Sequence, residues 1–153
     1  MQILKTASLS IEYKNTIMRI WNEEYPVGLV YEDLAAFEVY LSKIGQAMHY
    51  LIVEENQLKG WMATFDREDE RWFSIIISPN CQQQGLGRML LNEAKKEHIP
   101  LNGWVADHDN DLKINGLAYL SPLGFYSKNK FVVMKETRLE LKNLSAIKIK
   151  WQP

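Results

Sequence analysis

The chain has 153 residues, 46% apolar and 24% charged, with a formal net charge of -1. That length suffices for one domain with a substantial core, and the near-neutral, scattered charge excludes the basic footprint of a nucleic-acid binder. The single cysteine, Cys81, excludes an internal disulfide and suits a reducing compartment. The first residues lack a signal-peptide layout and the apolar runs are too short to span a bilayer, so neither nucleic acid nor membrane is expected as a partner. The expectation is a single domain over residues 1–153, cytoplasmic.

In chain order, Ile3 to Lys5 predicts a short strand. Ser8 or Ser10 can cap a helix in which Ile11, Ile17, Ile20 and Trp21 recur near helical spacing, and Pro26 and Gly28 end it. A second amphipathic helix runs from about Glu32 to Ile44, closed by Gly45. His49 to Glu54 and Leu58 to Phe65 flank Glu55-Asn56-Gln57 as a hairpin, and Asp66 to Glu70 reads as a solvated acidic turn. Trp72 to Ser78 predicts a strand, Gly85 or Leu86 to about His98 a helix stopped by Pro100, and Trp104 to Asp107 a strand. Strand, helix and strand within roughly 35 residues imply a right-handed crossover and a parallel pair. Between Leu117 and Ser127 Pro122 interrupts any helix. Phe131 to Leu141 alternates as a strand. Ile147 to Trp151 alternates too, predicting a closing edge strand or a homodimer contact.

The densest signal is Cys81-Gln82-Gln83-Gln84-Gly85-Leu86-Gly87-Arg88, which joins Ile75-Ile76-Ile77 to a helix across Ser78-Pro79-Asn80. Two glycines one residue apart at such a joint permit positive φ and close approach of a ligand. The helix beyond offers free N–H groups and a positive dipole end to a phosphate. A dinucleotide fingerprint would need a third glycine and a P-loop would need Gly-Lys-Ser/Thr; neither occurs. Gln82 to Gly87 fits Gln/Arg-x-x-Gly-x-Gly/Ala, with Pro79 three residues before Gln82. It resembles the acetyl-CoA pyrophosphate loop of the GCN5-related N-acetyltransferase (GNAT) family. Further on, Tyr126-Ser127-Lys128-Asn129-Lys130-Phe131 is similar to the family's Tyr-x-Lys-x-Gly-Phe, with Lys130 where glycine is usual. Gly124-Phe125 is a rival register, lacking the preceding tyrosine.

The resemblance implies an α/β fold with a central, mostly antiparallel mixed sheet, one splayed parallel pair and flanking helices. It implies acetyl-CoA as cosubstrate and acyl transfer to a primary amine of a small molecule or peptide. Ile75, Ile76 and Ile77 would line the pantetheine arm, and Gln82, Gln83, Gln84, Gly85, Leu86, Gly87 and Arg88 would receive the pyrophosphate. Tyr126 would protonate the leaving thiolate. His108, in Asp107-His108-Asp109-Asn110-Asp111, has the pKa suited to a general base. That segment lacks the glycine and glutamate of a calcium loop, and no metal is expected. His49 and His98 read as a strand residue and a helix-end cap. The competing reading is a non-catalytic acyl-CoA-binding module, which would keep Gln82 to Arg88 and have no need of Tyr126. Another type of nucleotide-phosphate domain is disfavoured by the missing lysine.

Overall fold

Alternation along the two longest strands of the hairpin decides the architecture. β2 (Gly45–Glu54) and β3 (Gln57–Arg67) put Tyr50, Ile52 and Met62 into one apolar cluster and Leu51, Trp61 and Ala63 into another. A sheet buried on both faces needs helices on both. The computed structural model, which describes residues 2–97 and 99–153, supplies them. α1 (Ile11–Glu24) and α2 (Leu34–Lys43) cover one face with Ile17, Ile20, Trp21 and Phe37. α3 (Leu86–Lys95) covers the other with Leu86, Leu90, Leu91 and Ala94. His98 lies outside the described residues.

The remaining elements are β1 (Gln2–Thr6), β4 (Glu70–Ile77), β5 (Leu101–Val105), α4 (Leu123–Lys128), β6 (Val132–Leu141) and β7 (Leu144–Trp151). They form one seven-stranded sheet in the order β1-β2-β3-β4-β5-β7-β6. Every neighbouring pair is antiparallel except β4 and β5. The mixed sheet with one parallel pair is the expected fold class.

Local chemistry accounts for most boundaries. The Ser10 hydroxyl accepts from the Tyr13 N–H at 3.2 Å, and the Asp33 carboxylate from the Ala36 N–H at 2.9 Å, capping α1 and α2. Two hairpin turns, Glu55-Asn56 and Glu68-Asp69, hold both central residues at positive φ, the twist that suits flanking strands even without glycine. The acidic run is therefore a two-residue turn, with Asp66, Arg67 and Glu70 inside strands.

Three expectations are corrected. Gly45 opens β2 rather than capping α2, because the chain is already extended at Ile44. Pro122 sits at the N-cap of α4, where its missing N–H costs no helical hydrogen bond, so it starts a helix instead of interrupting one. The C-terminal strand is not an edge. β7 lies between β5 and β6 and pairs with both, so its apolar alternation is that of an interior strand.

The feature that positions the site is the parallel pair. β4 and β5 register at a single pair, Trp72 with Asn102. There the Asn102 amide donates to the Arg71 carbonyl at 2.9 Å and the Trp72 and Trp104 rings stack at 5.1 Å. Beyond that clasp the strands diverge, and Ile75 to Ile77 face an opening.

Candidate active site

The divergence opens a cleft of about 950 Å³, lined by Ile75, Ile76 and Ile77, by Gln82, Gln83 and Gly85 to Arg88, and by residues of α1, α4 and the β5–α4 segment. The expected loop residues are thus brought together, with two qualifications. Gln84 is exposed and is not among the lining residues, and the Leu86 side chain is buried in the core. Gln83 and Gly85 sit at φ 61° and 80°. Alternating left-handed residues turn successive N–H groups toward one concavity. Gly85 is the N-cap of α3 and provides no capping side chain. Among the described residues the N–H groups of Leu86, Gly87 and Arg88 have no protein acceptor. Three orphan donors at a positive dipole end fit a pyrophosphate.

The two glycines do different work. A Cβ on Gly85 would meet nothing within 4 Å, so the cradle is open there and the left-handed φ is what demands glycine. A Cβ on Gly87 would lie 2.9 Å from Phe125 Cζ, so Gly87 lets α3 and α4 approach.

Charge divides the cleft. Arg88, Lys95, Lys128 and Lys130 line one end, while Glu24 is the one carboxylate among the lining residues. Glu24, at the end of α1, accepts from the Gln82 side-chain amide and stands 3.9 Å from the Lys113 ammonium. Beside it the Tyr25 hydroxyl donates to the Ile75 carbonyl at 2.7 Å, tying α1 to the diverging strand. A small hairpin from Asp111 to Tyr119 completes this end. Its Tyr119 N–H donates to the Asp111 carbonyl at 2.8 Å, and its Leu112 carbonyl accepts from the Val27 N–H at 2.8 Å. Tyr119 then meets Tyr25 with ring centroids 6.2 Å apart. The sequence does not mark Glu24 or Lys113 as site residues, and it offers Tyr25 and Tyr119 only among several aromatics able to meet an amine, with packing as their expected role. Each is an ordinary polar or aromatic residue until the fold carries it to the cleft, and only the Tyr25-Pro26 helix stop marked the place.

Tyr126 is buried, 6% exposed, among Phe73, Phe125 and Phe131, with centroids 5.6, 5.0 and 5.5 Å away. Among the described residues no backbone carbonyl accepts from its hydroxyl. Burial, and then the Tyr119 phenol, push its pKa well above the usual phenol value. Tyr25 is raised by burial and then by Tyr119 and Tyr126, and Tyr119 is raised to about 12 by burial, then by Asp111 and Glu24. Three phenols that feel one another thus keep their protons at neutral pH.

His108 does not line the cleft. Its Nδ1 accepts from the Asn110 N–H at 3.1 Å and its Nε2 lies 4.0 Å from Asp111 Oδ2, so the ring closes its own loop. Asp107 next to it is taken by Arg138 in a bidentate pair at 2.8 and 3.1 Å, which holds its carboxyl below the ordinary range. His49 is a strand residue, as expected. It is buried, its Nδ1 accepts from Trp61 Nε1 at 3.1 Å, and desolvation followed by Lys14 lowers its pKa to about 4. Among the described residues no group of side chains could hold a metal ion.

The turn after α4 keeps the geometry that glycine normally provides. Asn129 is the C-cap, the Phe131 N–H reaches back to the Tyr126 carbonyl at 3.1 Å, and the Lys130 N–H to the Ser127 carbonyl at 3.1 Å. This is a Schellman motif, with the Phe131–Tyr126 ring contact as its apolar clasp. Lys130 occupies the left-handed position at φ 73°. For a residue with a Cβ that conformation costs about 1–2 kcal/mol.

A split sheet with a phosphate cradle at the crossover helix defines a CoA-dependent acyltransferase. The acetyltransferase (GNAT) domain family model matches residues 46–133, more than half of the chain, and the chain belongs to that family. It is an N-acetyltransferase that uses acetyl-CoA. Solved structures share the fold at low identity. An aminoglycoside 6′-N-acetyltransferase complexed with coenzyme A superposes with a TM-score of 0.74 at 14% identity, covering 99% of this chain and 96% of that one. A spermidine N-acetyltransferase chimera from Vibrio cholerae gives 0.68 at 18% identity, over 99% and 96%. The ribosomal-protein-S18-alanine N-acetyltransferase from Escherichia coli gives 0.63 at 17% identity, over 97% and 92%. Comparison with curated proteins finds no match.

Proposed function

We propose that the chain transfers an acetyl group to the primary amine of a small molecule or peptide, in the cytoplasm, with the acceptor entering at Glu24 and the cofactor lying along α3. The polarity of the cleft supports this reading, with Arg88, Lys95, Lys128 and Lys130 at one end and at the other Glu24, its one carboxylate, with Lys113 3.9 Å away. Acetyl-CoA supplies a thioester whose acyl carbon can pass to nitrogen. The N–H groups of Leu86 to Arg88 hold the pyrophosphate, with charge-assisted bonds that orient the cofactor. Ile75 to Ile77 form one wall of the split and exclude water from it.

Glu24, rather than His108, is the group that meets the acceptor. Its carboxylate attracts an ammonium and orients the nitrogen as the proton leaves to solvent. Tyr126 holds the proton for the leaving sulfur: a phenol that stays protonated at neutral pH donates only as negative charge develops beside it. The neighbouring structures act, by their names, on an aminoglycoside, on spermidine and on an alanine of ribosomal protein S18, so the fold leaves the acceptor to the side chains around Glu24. The test is a panel of primary amines incubated with acetyl-CoA while free thiol is followed. Acceptor-dependent thiol release is the expected result. Tight CoA binding with no release for any amine class would instead favour the binding-module reading.

A further inference from the structure

Resting on the reading that α3 receives the pyrophosphate of CoA, we propose that Lys130, with Lys128, Lys95 and Arg88, forms a second anion site on the same cofactor. This site takes the ribose 3′-phosphate and makes the enzyme prefer CoA to dephospho-CoA.

The first ground is the cost Lys130 carries. The hydrogen bonds of the turn after α4 come from backbone groups and from the Asn129 and Lys95 side chains, none from the Lys130 side chain, so glycine at 130 would leave them all in place without left-handed strain. The turn therefore gains nothing from a lysine side chain. Strain retained beside a ligand cleft points to a use for the side chain that bears it.

The second ground is where that side chain stands. Arg88, Asn92 and Lys95 are spaced i, i+4 and i+7 on α3 and line the cleft together, a single stripe along the helix. Lys128 and Lys130 line it from the α4 turn. The Lys95 ammonium donates to the Asn129 carbonyl at 2.6 Å, which fixes this turn against the far end of α3. At 1.5 Å per residue that end lies roughly 12 Å from the Gly87 N–H. The turn is thus displaced along α3 from the pyrophosphate cradle, which leaves it for a second phosphate of the same cofactor.

The third ground is uncompensated charge. Among the described residues none of these four cations takes part in an ion pair. Burial first, then Arg88 and Lys130, lower the pKa of Lys95, so the like charges are close enough to oppose one another. A phosphate dianion between them removes that repulsion and supplies the missing counter-charge.

Calorimetry with CoA and with dephospho-CoA on the wild type, Lys130→Gly and Lys130→Arg tests the site. The wild type should bind CoA about tenfold more tightly than dephospho-CoA, and Lys130→Gly should lose about three- to tenfold for CoA alone. Lys130→Arg should keep the preference. The glycine variant should also melt about 1–4 °C higher, the strain relieved being partly offset by glycine's freedom in the unfolded chain. Lys130→Gly binding CoA with the preference intact overturns the inference and leaves the cleft reading standing. An equal loss for both ligands assigns Lys130 to the pyrophosphate and overturns it too. A wild type that binds no CoA overturns the cleft reading, and the inference with it.

Discussion

At the α3 end of the cleft the groups that face a ligand are main-chain N–H groups and cations borne on one helix and one turn. At the α1 end they are side chains, Glu24, Tyr25 and Tyr119, delivered by segments far apart in the chain. The first end recognises something every member of the family must bind. On the proposed reading the second sets what is acetylated. Mutations should therefore separate the two ends, one through cofactor affinity and the other through acceptor kinetics.

The largest expected effect belongs to neither end but to Tyr126, which is buried among Phe73, Phe125 and Phe131 and is not among the residues lining the cleft. Tyr126→Phe should lower turnover by roughly ten- to ten-thousand-fold, about 1.4–5.5 kcal/mol in the barrier, and leave acetyl-CoA affinity unchanged. Steady-state kinetics with a confirmed acceptor at saturation measures it. Tyr119→Phe should cost less. The reverse order would make Tyr119, which lines the cleft, the proton donor.

Strand β2 carries a pH dependence. His49 is neutral in the fold with a pKa lowered to about 4, against 6.5 when unfolded. As pH falls through the window from 6.5 to 4 the unfolded chain binds the proton first, so stability present above pH 6.5 is progressively lost, by about 3 kcal/mol. Urea denaturation across that range should show the loss, and His49→Gln, which keeps an acceptor for the Trp61 indole, should flatten it. An unchanged slope in the variant would assign the acid sensitivity elsewhere.

Glu24→Gln should raise the Michaelis constant for an amine acceptor by about tenfold, the worth of one charge-assisted contact, with CoA affinity unaltered. If both constants move together, Glu24 acts through Gln82 and the cofactor loop rather than on the acceptor.

The same division explains what could be read from the sequence. Gln82 to Arg88 was legible because a phosphate cradle built from backbone needs glycine and a helix start at fixed spacing, a local pattern. The split was legible as a strand–helix–strand crossover. His108 stands out by its pKa, its flanking carboxylates and its place after a strand of the split, but the loop geometry that turns its ring onto Asn110 and leaves it out of the cleft lining is not written in neighbouring residues. Glu24 carries no such signal, and Tyr119 is only one of several aromatics, for the converse reason: what brings them together is a contact between α1 and the Asp111–Tyr119 hairpin. The position of β7 failed similarly, since alternation reports a strand but not its neighbours. Lys130 broke the family pattern at one residue, yet the backbone kept the glycine conformation.

The most direct measurement is calorimetry of CoA binding to the wild type and to Gly85→Val. A valine there disfavours the left-handed N-cap and places its side chain over the open cradle, without meeting Phe125 as a change at Gly87 would. With the fold intact by circular dichroism, affinity should fall about thirtyfold or more, the loss of at least one charge-assisted phosphate contact. Unchanged CoA affinity in Gly85→Val would contradict a pyrophosphate seated at the N-terminus of α3.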